Sequence, residues 1–421
     1  MDFNAFILVL LGIGPWGHRP DFDRENDARP GISREPDTAL GNSWQPDRYL
    51  QRIHSLDSVP RPGSDAMMVR NPDPAVDALV TAYPEIFRQP PQERTSVKLL
   101  VTGGAGYIGS VVAHQLVDAG HEVVILDDLS TGFPANLPPR ATFHELSIHR
   151  VADVLTPAAG FDGVLHFAAK IEVAESVANP EKYWWNNIEG SLALLRAVRA
   201  AGTPRLIFSS TGSMYTGDGS TPFDESAEVR PANPYAATKA TVDLMIAGEC
   251  GASELGAASL RYFNASGAVA TGDTHLGERH EPESHLIPIL LQAAAGQRDS
   301  FTLYGTDYPT PDGTCIRDYV HVADLAAAHL LALEAIRPGE YEVYNLGNGS
   351  GYSNRQVLDT VREVTGRDFP VHYGPRRPGD PAVCVAASGK AGTRLGWKPQ
   401  RPDLADIVSD AWEFHRSVHG D

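Results

Sequence analysis

The sequence predicts an α/β protein with a doubly wound parallel sheet, and two observations carry that prediction. The apolar run Leu99–Val101 is followed at once by a glycine-rich turn and then by the helical stretch Ile108–Ala119. Further short apolar runs alternate with stretches of helical periodicity as far as Phe263. Continuous apolar runs are typical of strands buried on both faces, and right-handed crossovers place helices on both sides of such a sheet.

Five apolar runs are predicted as parallel strands, and they are Leu99–Val101, Val123–Leu126, Val164–Phe167, Leu206–Phe208 and Ala258–Phe263. Beside Ile108–Ala119, the stretch Asn186–Ala200 has helical periodicity. A long helix is predicted after Pro234, because proline suits the first helical turn and Asn233 suits the N-cap. After about Ser266 the pattern becomes irregular, which indicates a smaller C-terminal α/β lobe.

Residues 1–96 differ in composition from the rest of the chain. They hold 12 of the 32 prolines, with scattered charges and little periodicity, and only Pro74–Phe87 has the pattern of a short helix. This composition predicts an extension that is mostly disordered. A second interpretation stays open, in which the start is misassigned, because the sequence from Val97 onward is typical of a natural beginning.

Charge and cysteine content restrict the partners and the compartment. The net charge of −18 argues against nucleic acid or an anionic membrane as a partner, although local arginines and backbone amides are able to hold a small anionic ligand. The three cysteines form no pair with metal or disulfide spacing, which fits a cytoplasmic protein. His275, His280 and His285 are spaced so that they do not share one helix face, so no metal site is expected.

The glycine-rich turn predicts a dinucleotide site. Gly103, Gly106 and Gly109 follow a strand and open a helix, where they allow a tight turn, a close approach to a pyrophosphate and close helix–strand packing. The helix N-terminus supplies N–H groups for phosphate. Asp127 ends the next strand, where its carboxylate is able to accept hydrogen bonds from ribose hydroxyls and would repel a 2′-phosphate, which favours NAD over NADP. Asp128 is an alternative for this role.

The predicted domains follow from these patterns. Residues 97–265 are expected to form a Rossmann-type NAD-binding domain. Residues 266–421 are expected to form mostly a substrate-binding lobe that is partly interleaved with the first domain.

Tyr235 and Lys239 are the candidate catalytic pair. On a helix their i,i+4 spacing places them on one face. A free tyrosine has a pKa near 10, and a neighbouring ammonium and a positive nicotinamide would favour its phenolate. Thr211 ends a predicted strand, at the edge where such sheets bind cofactors, and is expected to bond the reacting hydroxyl; Ser210 and Ser213 are alternatives.

These motifs resemble the extended short-chain dehydrogenase/reductase superfamily, and within it the UDP-glucose 4-epimerase family. The closer resemblance lies in Leu260–Asn264, Tyr304–Val322, Tyr344–Gly347 and Arg376–Asp380, and it covers about residues 97–416. It implies a Tyr235 phenolate that takes the proton of the sugar 4-hydroxyl while hydride moves from C4 to resident NAD⁺. The 4-keto sugar then turns over, and hydride returns to its opposite face.

The resemblance also implies ligand contacts. Beyond the glycines, the positions that match NAD contacts are Tyr107, Ile108, Asp127, Asp128, Leu129, Ser130, Thr131, Gly132, Ile148, Phe167, Ala168, Ala169, Lys170, Asn186 and Phe263. The positions that match UDP-sugar contacts are Asn264, His285, Leu286, Tyr304, Arg317, Tyr319, Arg377, Asp380 and Cys384. Arg317 and Arg377 suit a clamp on the diphosphate, and Tyr304 suits the uracil ring.

The sequence departs from the family at several positions. Ser147 replaces an aspartate that would contact the adenine, and Ile171 replaces a lysine that some members have near the nicotinamide. Cys384 stands where strict UDP-hexose enzymes carry a large aromatic residue, and the room that it leaves predicts activity on UDP-N-acetylhexosamines. The N-terminal extension is a further difference.

Three alternative functions compete with this interpretation. A sugar-nucleotide 4,6-dehydratase needs carboxylates directly after the active-site threonine, where this chain has Gly212 and Ser213. A 4-epimerase of another UDP sugar, such as a uronic acid or a pentose, remains open. A non-catalytic NAD-binding regulator usually lacks the Tyr or the Lys, and this chain has both. The family resemblance also implies a homodimer, formed through the helices around Asn186–Ala200 and Ala236–Glu249.

Overall fold

The computed structural model describes residues 96–420 except 218–220, 273 and 378–379. The predictions for the extension and for a helix at Pro74–Phe87 lie outside the described residues. The described strands are β1 (Lys98–Thr102), β2 (Glu122–Asp127), β3 (Thr142–Glu145), β4 (Gly163–His166), β5 (Arg205–Thr211), β6 (Gly256–Tyr262), β7 (Asn264–Ser266), β8 (Ala268–Thr271), β9 (Thr274–Gly277), β10 (Phe301–Tyr304), β11 (Ile316–Arg317), β12 (Tyr319–His321), β13 (Tyr341–Leu346), β14 (Tyr352–Ser353), β15 (Val371–Gly374) and β16 (Val383–Cys384).

The helices lie mostly between these strands. They are α1 (Tyr107–Asp118), α2 (Val173–Ala178), α3 (Pro180–Tyr183), α4 (Gly190–Ala201), α5 (Pro234–Ala252), α6 (Leu286–Ala294), α7 (Val322–Ala335), α8 (Asn354–Thr365), α9 (Gly389–Leu395) and α10 (Leu404–His419). A π-helical turn, Trp184–Glu189, precedes α4, and short 3₁₀ turns occupy Pro134–Asn136, Ile148–Asp153, Pro157–Ala159 and Gly212–Met214.

The main sheet has seven strands in the order β13-β6-β5-β4-β1-β2-β3, and all of its pairs are parallel. The predicted doubly wound sheet is therefore confirmed. The strand order reverses between β1 and β4, which is the place where open sheets of this type bind ligands beyond the carboxyl ends of the strands.

Side chains of the central strands alternate between two hydrophobic cores. Leu99 and Val101 of β1 face a core that contains α1 and α7, whereas Leu100 faces a second core that contains α4 and α5. Since successive side chains of a strand point to opposite faces, both faces of β1 must be apolar. This explains why the sequence shows a continuous apolar run there.

Two strands of the sheet and the beginning of one helix differ from the sequence prediction. The prediction missed β3 and β13, which form the two edges of the sheet and are only partly buried along much of their length. The helix predicted from Asn186 begins as the π-helical turn, and regular α-helix starts at Gly190.

The C-terminal part of the chain combines small sheets with a third core. Helices α6, α8 and α10 pack around this core together with strand β10. Short strands form separate sheets, among them β14-β11-β16 and the parallel pair β12-β7. Among the described residues, no helix combines the length and hydrophobicity that crossing a bilayer requires.

Candidate active site

The turn between β1 and α1 brings backbone close to backbone. Gly103 has φ +75°, and a Cβ there would lie 2.5 Å from the nitrogen of Ala168. A Cβ on Gly109 would collide with the carbonyl oxygen of Gly103. Gly106 occupies the N-cap of α1 in an extended conformation, without a side-chain cap. The turn therefore needs glycine at two positions and leaves the N-terminus of α1 open toward the sheet edge.

Asp127 is buried at the end of β2 and is fixed by the turn. Its two carboxylate oxygens accept hydrogen bonds from the backbone N–H groups of Ala105, at 3.0 Å, and Leu129, at 2.8 Å. Burial raises the pKa of Asp127 although both hydrogen bonds lower it. Leu129 has φ +55°, a conformation that turns the chain sharply after the strand.

The predicted cofactor segments contact one another. The Lys170 ammonium donates a hydrogen bond to Ser130 Oγ at 2.7 Å, which joins the segment after β4 to the segment after β2. Ile148 is buried, and Ser147 caps the short turn that begins there by accepting a hydrogen bond from His149 N–H. The structure thus gives Ser147 a local capping role in place of the family's aspartate. The remaining positions, Asp128, Thr131, Gly132, Phe167 and Ala169, lie in these same two segments.

Asn187 is a residue that the sequence reasoning missed. It accepts a hydrogen bond from the N–H of Lys170, at 2.8 Å, and donates to the carbonyl of Lys170 and to Thr238 Oγ1 on α5. Asn186, which was predicted to contact NAD, donates to the Asn187 side chain at 2.9 Å. Asn187 is buried, and its hydrogen bonds connect the segment at Lys170, which is predicted to contact NAD, to the helix that carries Tyr235.

Helix α5 and strand β5 position the catalytic candidates. Asn233 caps α5 by accepting a hydrogen bond from Ala236 N–H, at 2.9 Å, and this fixes Tyr235 in the first turn. Thr211 ends β5 near Tyr235, where its side chain lowers the pKa of the phenol. Lys239 is buried one turn along the helix, where its ammonium donates to the carbonyl oxygen of Ser209 at 2.8 Å.

The alternatives at the end of β5 have other partners. Ser210 donates a hydrogen bond to the Asp243 carboxylate, at 3.2 Å, and is therefore turned toward α5. Ser213 lies 3.0 Å from Thr211 Oγ1, as the acceptor of its hydroxyl. The contact with Tyr235 favours Thr211 as the hydroxyl closest to the chemistry.

The pKa values of Tyr235 and Lys239 are set mainly by burial. Burial raises the pKa of Tyr235 to about 12, the hydrogen bond from Thr211 lowers it, and the Glu172 carboxylate raises it further. Burial lowers the pKa of Lys239 to about 8, while Asp243 raises it. Burial thus outweighs the effect of Thr211 on the Tyr235 pKa, and the Lys239 ammonium is directed at the Ser209 carbonyl.

A buried polar network lies behind Lys239. Asp243, one turn further along α5, pairs with the guanidinium of Arg261 on β6 at 2.8 Å. Arg261 also donates to the hydroxyl of Tyr215 at 2.8 Å, and that hydroxyl donates to Asn345 on β13. Burial raises the pKa of Asp243 more than Arg261 lowers it. The network connects the catalytic helix to three strands of the sheet.

The ring of Phe263 packs against the chain directly after the carboxyl end of β5. Its ring packs so closely over Gly212 that a Cβ there would collide with it. The same ring stacks near Tyr215 and Phe223, with centroids 6.4 Å apart in each case. A small residue after Thr211 is thus required by packing.

Arg317, Asp380 and Cys384 come together in the C-terminal lobe. Arg317 forms an ion pair with Asp380, and its guanidinium also donates to the carbonyl of Ile316. In the parallel pair β11–β16, Arg317 lies directly opposite Cys384. Tyr304 and Arg377 form a second contact, with the guanidinium 4.7 Å from the ring centroid.

Other predicted substrate residues are engaged within the protein. The side-chain amide of Asn264 donates to the carbonyl of Asp318 at 2.8 Å. Tyr319 is buried in the third core, which gives it a packing role as well as the predicted contact. Leu286 begins α6 and lies at the edge of the same core.

His285 lies among carboxylates at the N-cap of α6. Its Nδ1 is 2.9 Å from Glu278 Oε1 and 3.4 Å from Glu283 Oε1. Although burial opposes a charged ring, the Glu278 and Glu283 carboxylates raise the pKa of His285 to about 11. His285, a predicted UDP-sugar contact, is therefore held by two carboxylates.

Comparison with known proteins places these features in a family. The sequence profile of the NAD dependent epimerase/dehydratase family matches residues 99–347. A UDP-glucose 4-epimerase of Streptomyces lividans is 56% identical over 328 residues, which are 76% of this chain and 97% of that protein.

Solved structures give the same result. The UDP-glucose 4-epimerase from Brucella ovis in complex with NAD has a TM-score of 0.71 and 42% identity, over 75% of this chain and 98% of that one. The UDP-Glc/GlcNAc 4-epimerase from Campylobacter jejuni has a TM-score of 0.67 and 36% identity, over 76% of this chain and 99% of that one.

Proposed function

The chain belongs to the NAD dependent epimerase/dehydratase family, and on this basis we propose that it is an NAD-dependent UDP-glucose 4-epimerase. The observation that supports the proposal is that β5, which ends at Thr211, and β1, which leads into the glycine turn, end at the same edge of one parallel sheet, with Lys239 of α5 hydrogen-bonded to the end of β5. It interconverts UDP-glucose and UDP-galactose.

The residues of the turn fit NAD. The positions of Gly103 and Gly109 have no room for a Cβ, and a pyrophosphate at the N-terminus of α1 would meet backbone N–H groups. The fixed carboxylate of Asp127 suits the ribose hydroxyls. When bound, NAD supplies a hydride acceptor for C4 of the sugar and returns that hydride to the ring.

The chain's own residues handle the proton. Tyr235 accepts the proton of the 4-hydroxyl, and the neighbouring Thr211 side chain lowers the pKa of the phenol and so favours its phenolate. Lys239 contributes positive charge one turn away. Because burial holds the pKa of Tyr235 at about 12, the pair needs the additional positive charge of the nicotinamide to reach the phenolate at neutral pH.

Residues of the C-terminal lobe are proposed to anchor the nucleotide. The guanidinium groups of Arg317 and Arg377 bind the diphosphate, and Tyr304 faces the uracil ring. Arg317 is held from one side by Asp380, so its direction is set before a ligand arrives. Anchoring at the nucleotide leaves the hexose free to turn over between the two hydride transfers.

A turnover assay tests the proposal. Purified protein without added NAD is incubated with UDP-galactose, and the products are separated by chromatography. We expect UDP-glucose to form, and Tyr235→Phe to reduce the rate by at least about 100-fold while the bound NAD is retained. Absence of turnover with and without NAD would contradict the proposed reaction.

Activity on UDP-N-acetylhexosamines is a second part of the proposal. It is supported by Cys384, a small side chain beside Arg317 at the predicted sugar pocket. A neighbour of this fold from Campylobacter jejuni is a UDP-Glc/GlcNAc 4-epimerase. Turnover of UDP-galactose without any turnover of UDP-N-acetylglucosamine would contradict this part alone.

A homodimer is also proposed. It is supported by exposed apolar side chains on the consecutive elements from α2 to α5, namely Val173, Val177, Trp184, Trp185, Leu192 and Leu244. Such a surface is typical of an interface between proteins. Light scattering should give twice the chain mass, and Trp185→Glu with Leu244→Glu should give the monomer. A cytoplasmic location is proposed from the three free cysteines.

A further inference from the structure

The segment between β9 and α6 carries a cluster of four side chains, of which only His285 has a part in the proposed reaction, as a predicted UDP-sugar contact. Glu278, His280, Glu283 and His285 lie within this short stretch. Each offers one nitrogen or oxygen atom, and these four atoms all lie within 4.8 Å of one another. The Glu283 side chain is only 2% exposed and that of Glu278 is 10% exposed.

Hydrogen bonding does not account for the two imidazoles. Nδ1 of His280 lies 3.6 Å from Glu278 Oε1 and 3.7 Å from Glu283 Oε2, beyond hydrogen-bond distance. Nδ1 of His285 approaches the same two carboxylates, at 2.9 and 3.4 Å. Both nitrogens are nevertheless buried without a partner of hydrogen-bond geometry among the described residues. Buried polar atoms rarely remain unpaired, so each such nitrogen calls for an explanation.

The distances suit ligands that share one ion. In a tetrahedral zinc site the ligands lie about 2.0–2.2 Å from the metal, which places neighbouring ligand atoms about 3.3–3.6 Å apart. Three of the four nitrogen–oxygen distances in the cluster, 3.4, 3.6 and 3.7 Å, lie close to that spacing. Two carboxylates also balance the charge of a divalent cation, which lowers the cost of burying it.

Local backbone hydrogen bonds explain only one member of the cluster. The Glu283 carboxylate accepts the N–H groups of Ser284 and His285, both at 2.9 Å. These bonds fix Glu283, but they give no reason for two imidazoles to direct Nδ1 at the same carboxylates. The other oxygen of Glu283 accepts the N–H of His280 at 3.2 Å and lies 3.7 Å from its Nδ1, and a carboxylate oxygen with one hydrogen bond still has a lone pair for a ligand.

We propose that Glu278, His280, Glu283 and His285 bind one Zn²⁺ ion in a tetrahedral site. The ion would tie down the segment that precedes α6. That segment contacts two other parts of the protein: Arg279 lies 3.5 Å from the ring centroid of Phe133, and Ser284 Oγ donates to Glu172 at 2.5 Å. The site is structural, because four protein ligands leave no open coordination position on the ion.

Metal titration of the full chain tests the site. The protein is dialysed against a chelator and then titrated with ZnCl₂ by calorimetry, and with CoCl₂ by visible absorption. We expect one ion per chain, the strong visible bands of tetrahedral Co²⁺, and a melting temperature that rises with the Zn²⁺ concentration. Absence of stoichiometric uptake by the unmodified chain would overturn the proposal.

Two ligand variants and one matched control locate the ion. His280→Gln and Glu278→Gln should each weaken Zn²⁺ binding by more than about tenfold, since even loss of an outer partner of a metal ligand costs that much. His275→Gln changes the same residue type in the preceding strand and should bind as the unmodified chain does. Equal affinity in His280→Gln and His275→Gln would place the ion elsewhere and refute the site. Measuring Glu278→Gln as well covers the case in which His280→Gln does not fold.

Discussion

The buried ion pair between Asp243 and Arg261 offers a sharp test of how the catalytic helix is held. Asp243→Asn keeps the shape of the side chain but leaves the Arg261 guanidinium buried without its counter-charge. The two side chains are 4% and 9% exposed, so solvent screens them little. Breaking such a pair from one side costs about 3–5 kcal/mol, and we expect the free energy of unfolding to fall by that amount.

An exposed ion pair on the same helix supplies the control. Glu249 of α5 pairs with Arg199 of α4, with side chains that are 26% and 57% exposed. Pairs of this kind contribute about 0.2–1 kcal/mol, so Glu249→Gln should change the free energy of unfolding by less than about 1 kcal/mol. Urea unfolding followed by circular dichroism measures both variants. Equal losses, or a loss below about 1 kcal/mol for Asp243→Asn, would refute the reasoning.

Removing both charges separates the attraction between Asp243 and Arg261 from the cost of burying each charge. Burial raises the pKa of Asp243 more than Arg261 lowers it, which indicates that desolvation outweighs the attraction. Replacing both residues with apolar ones, Asp243→Leu with Arg261→Met, should therefore restore most of the stability that Asp243→Asn loses. A double variant that is less stable than Asp243→Asn would show that the hydrogen bonds of Arg261, including that to Tyr215, dominate instead.

Three further predictions concern activity and the cofactor. Lys239→Met should lower turnover at pH 7, and its rate should rise with pH over a higher pH range than in the unmodified enzyme, because Tyr235 loses a neighbouring positive charge that favours its phenolate. A pH profile identical to that of the unmodified enzyme would contradict this role of Lys239. Cys384→Tyr should abolish turnover of UDP-N-acetylglucosamine while UDP-galactose is still converted, which chromatography measures for both substrates. Gly103→Ala adds a Cβ at 2.5 Å from the Ala168 nitrogen in a left-handed conformation that costs about 1–2 kcal/mol, so the purified protein should contain less NAD and melt at a lower temperature; an unchanged NAD content would contradict the tight turn.

Local patterns were sufficient to predict the centre of the fold. The buried strands show continuous apolar runs because both of their faces are covered, and the N-cap at Asn233 marks the start of α5. The edge strand β13 was missed because three of its six residues are only partly buried, and Glu342 and Asn345 interrupt its run of apolar and aromatic residues. Its partner β6 lies more than 80 residues earlier, and sequence spacing alone gives no sign of that pairing.

The site was predictable where chemistry depends on short spacing. Tyr235 and Lys239 are one helical turn apart, and the glycines directly follow one strand. The catalytic pair and the dinucleotide turn are therefore both visible in short continuous segments of the sequence. The contacts of Asn187 with Lys170 and Thr238 join residues that are 17 and 51 positions apart. The pKa of Tyr235 depends on burial and on Glu172, which only the folded chain brings near it. Tertiary contacts of this kind lie beyond any local pattern.

The two halves of the site are built with different rigidity, and the proposed chemistry requires that difference. On the cofactor side, the turn at Gly103 and Gly109 packs backbone against backbone beneath a seven-stranded sheet. On the sugar side, Arg317 and Cys384 lie on strands of two residues each, which few backbone hydrogen bonds hold in place. Elements with few such bonds open at lower free energy than a buried sheet. A 4-keto sugar must turn over between two hydride transfers without leaving the site. A firm cofactor edge that faces a lightly paired sugar pocket, with the nucleotide anchored by arginines, meets both demands.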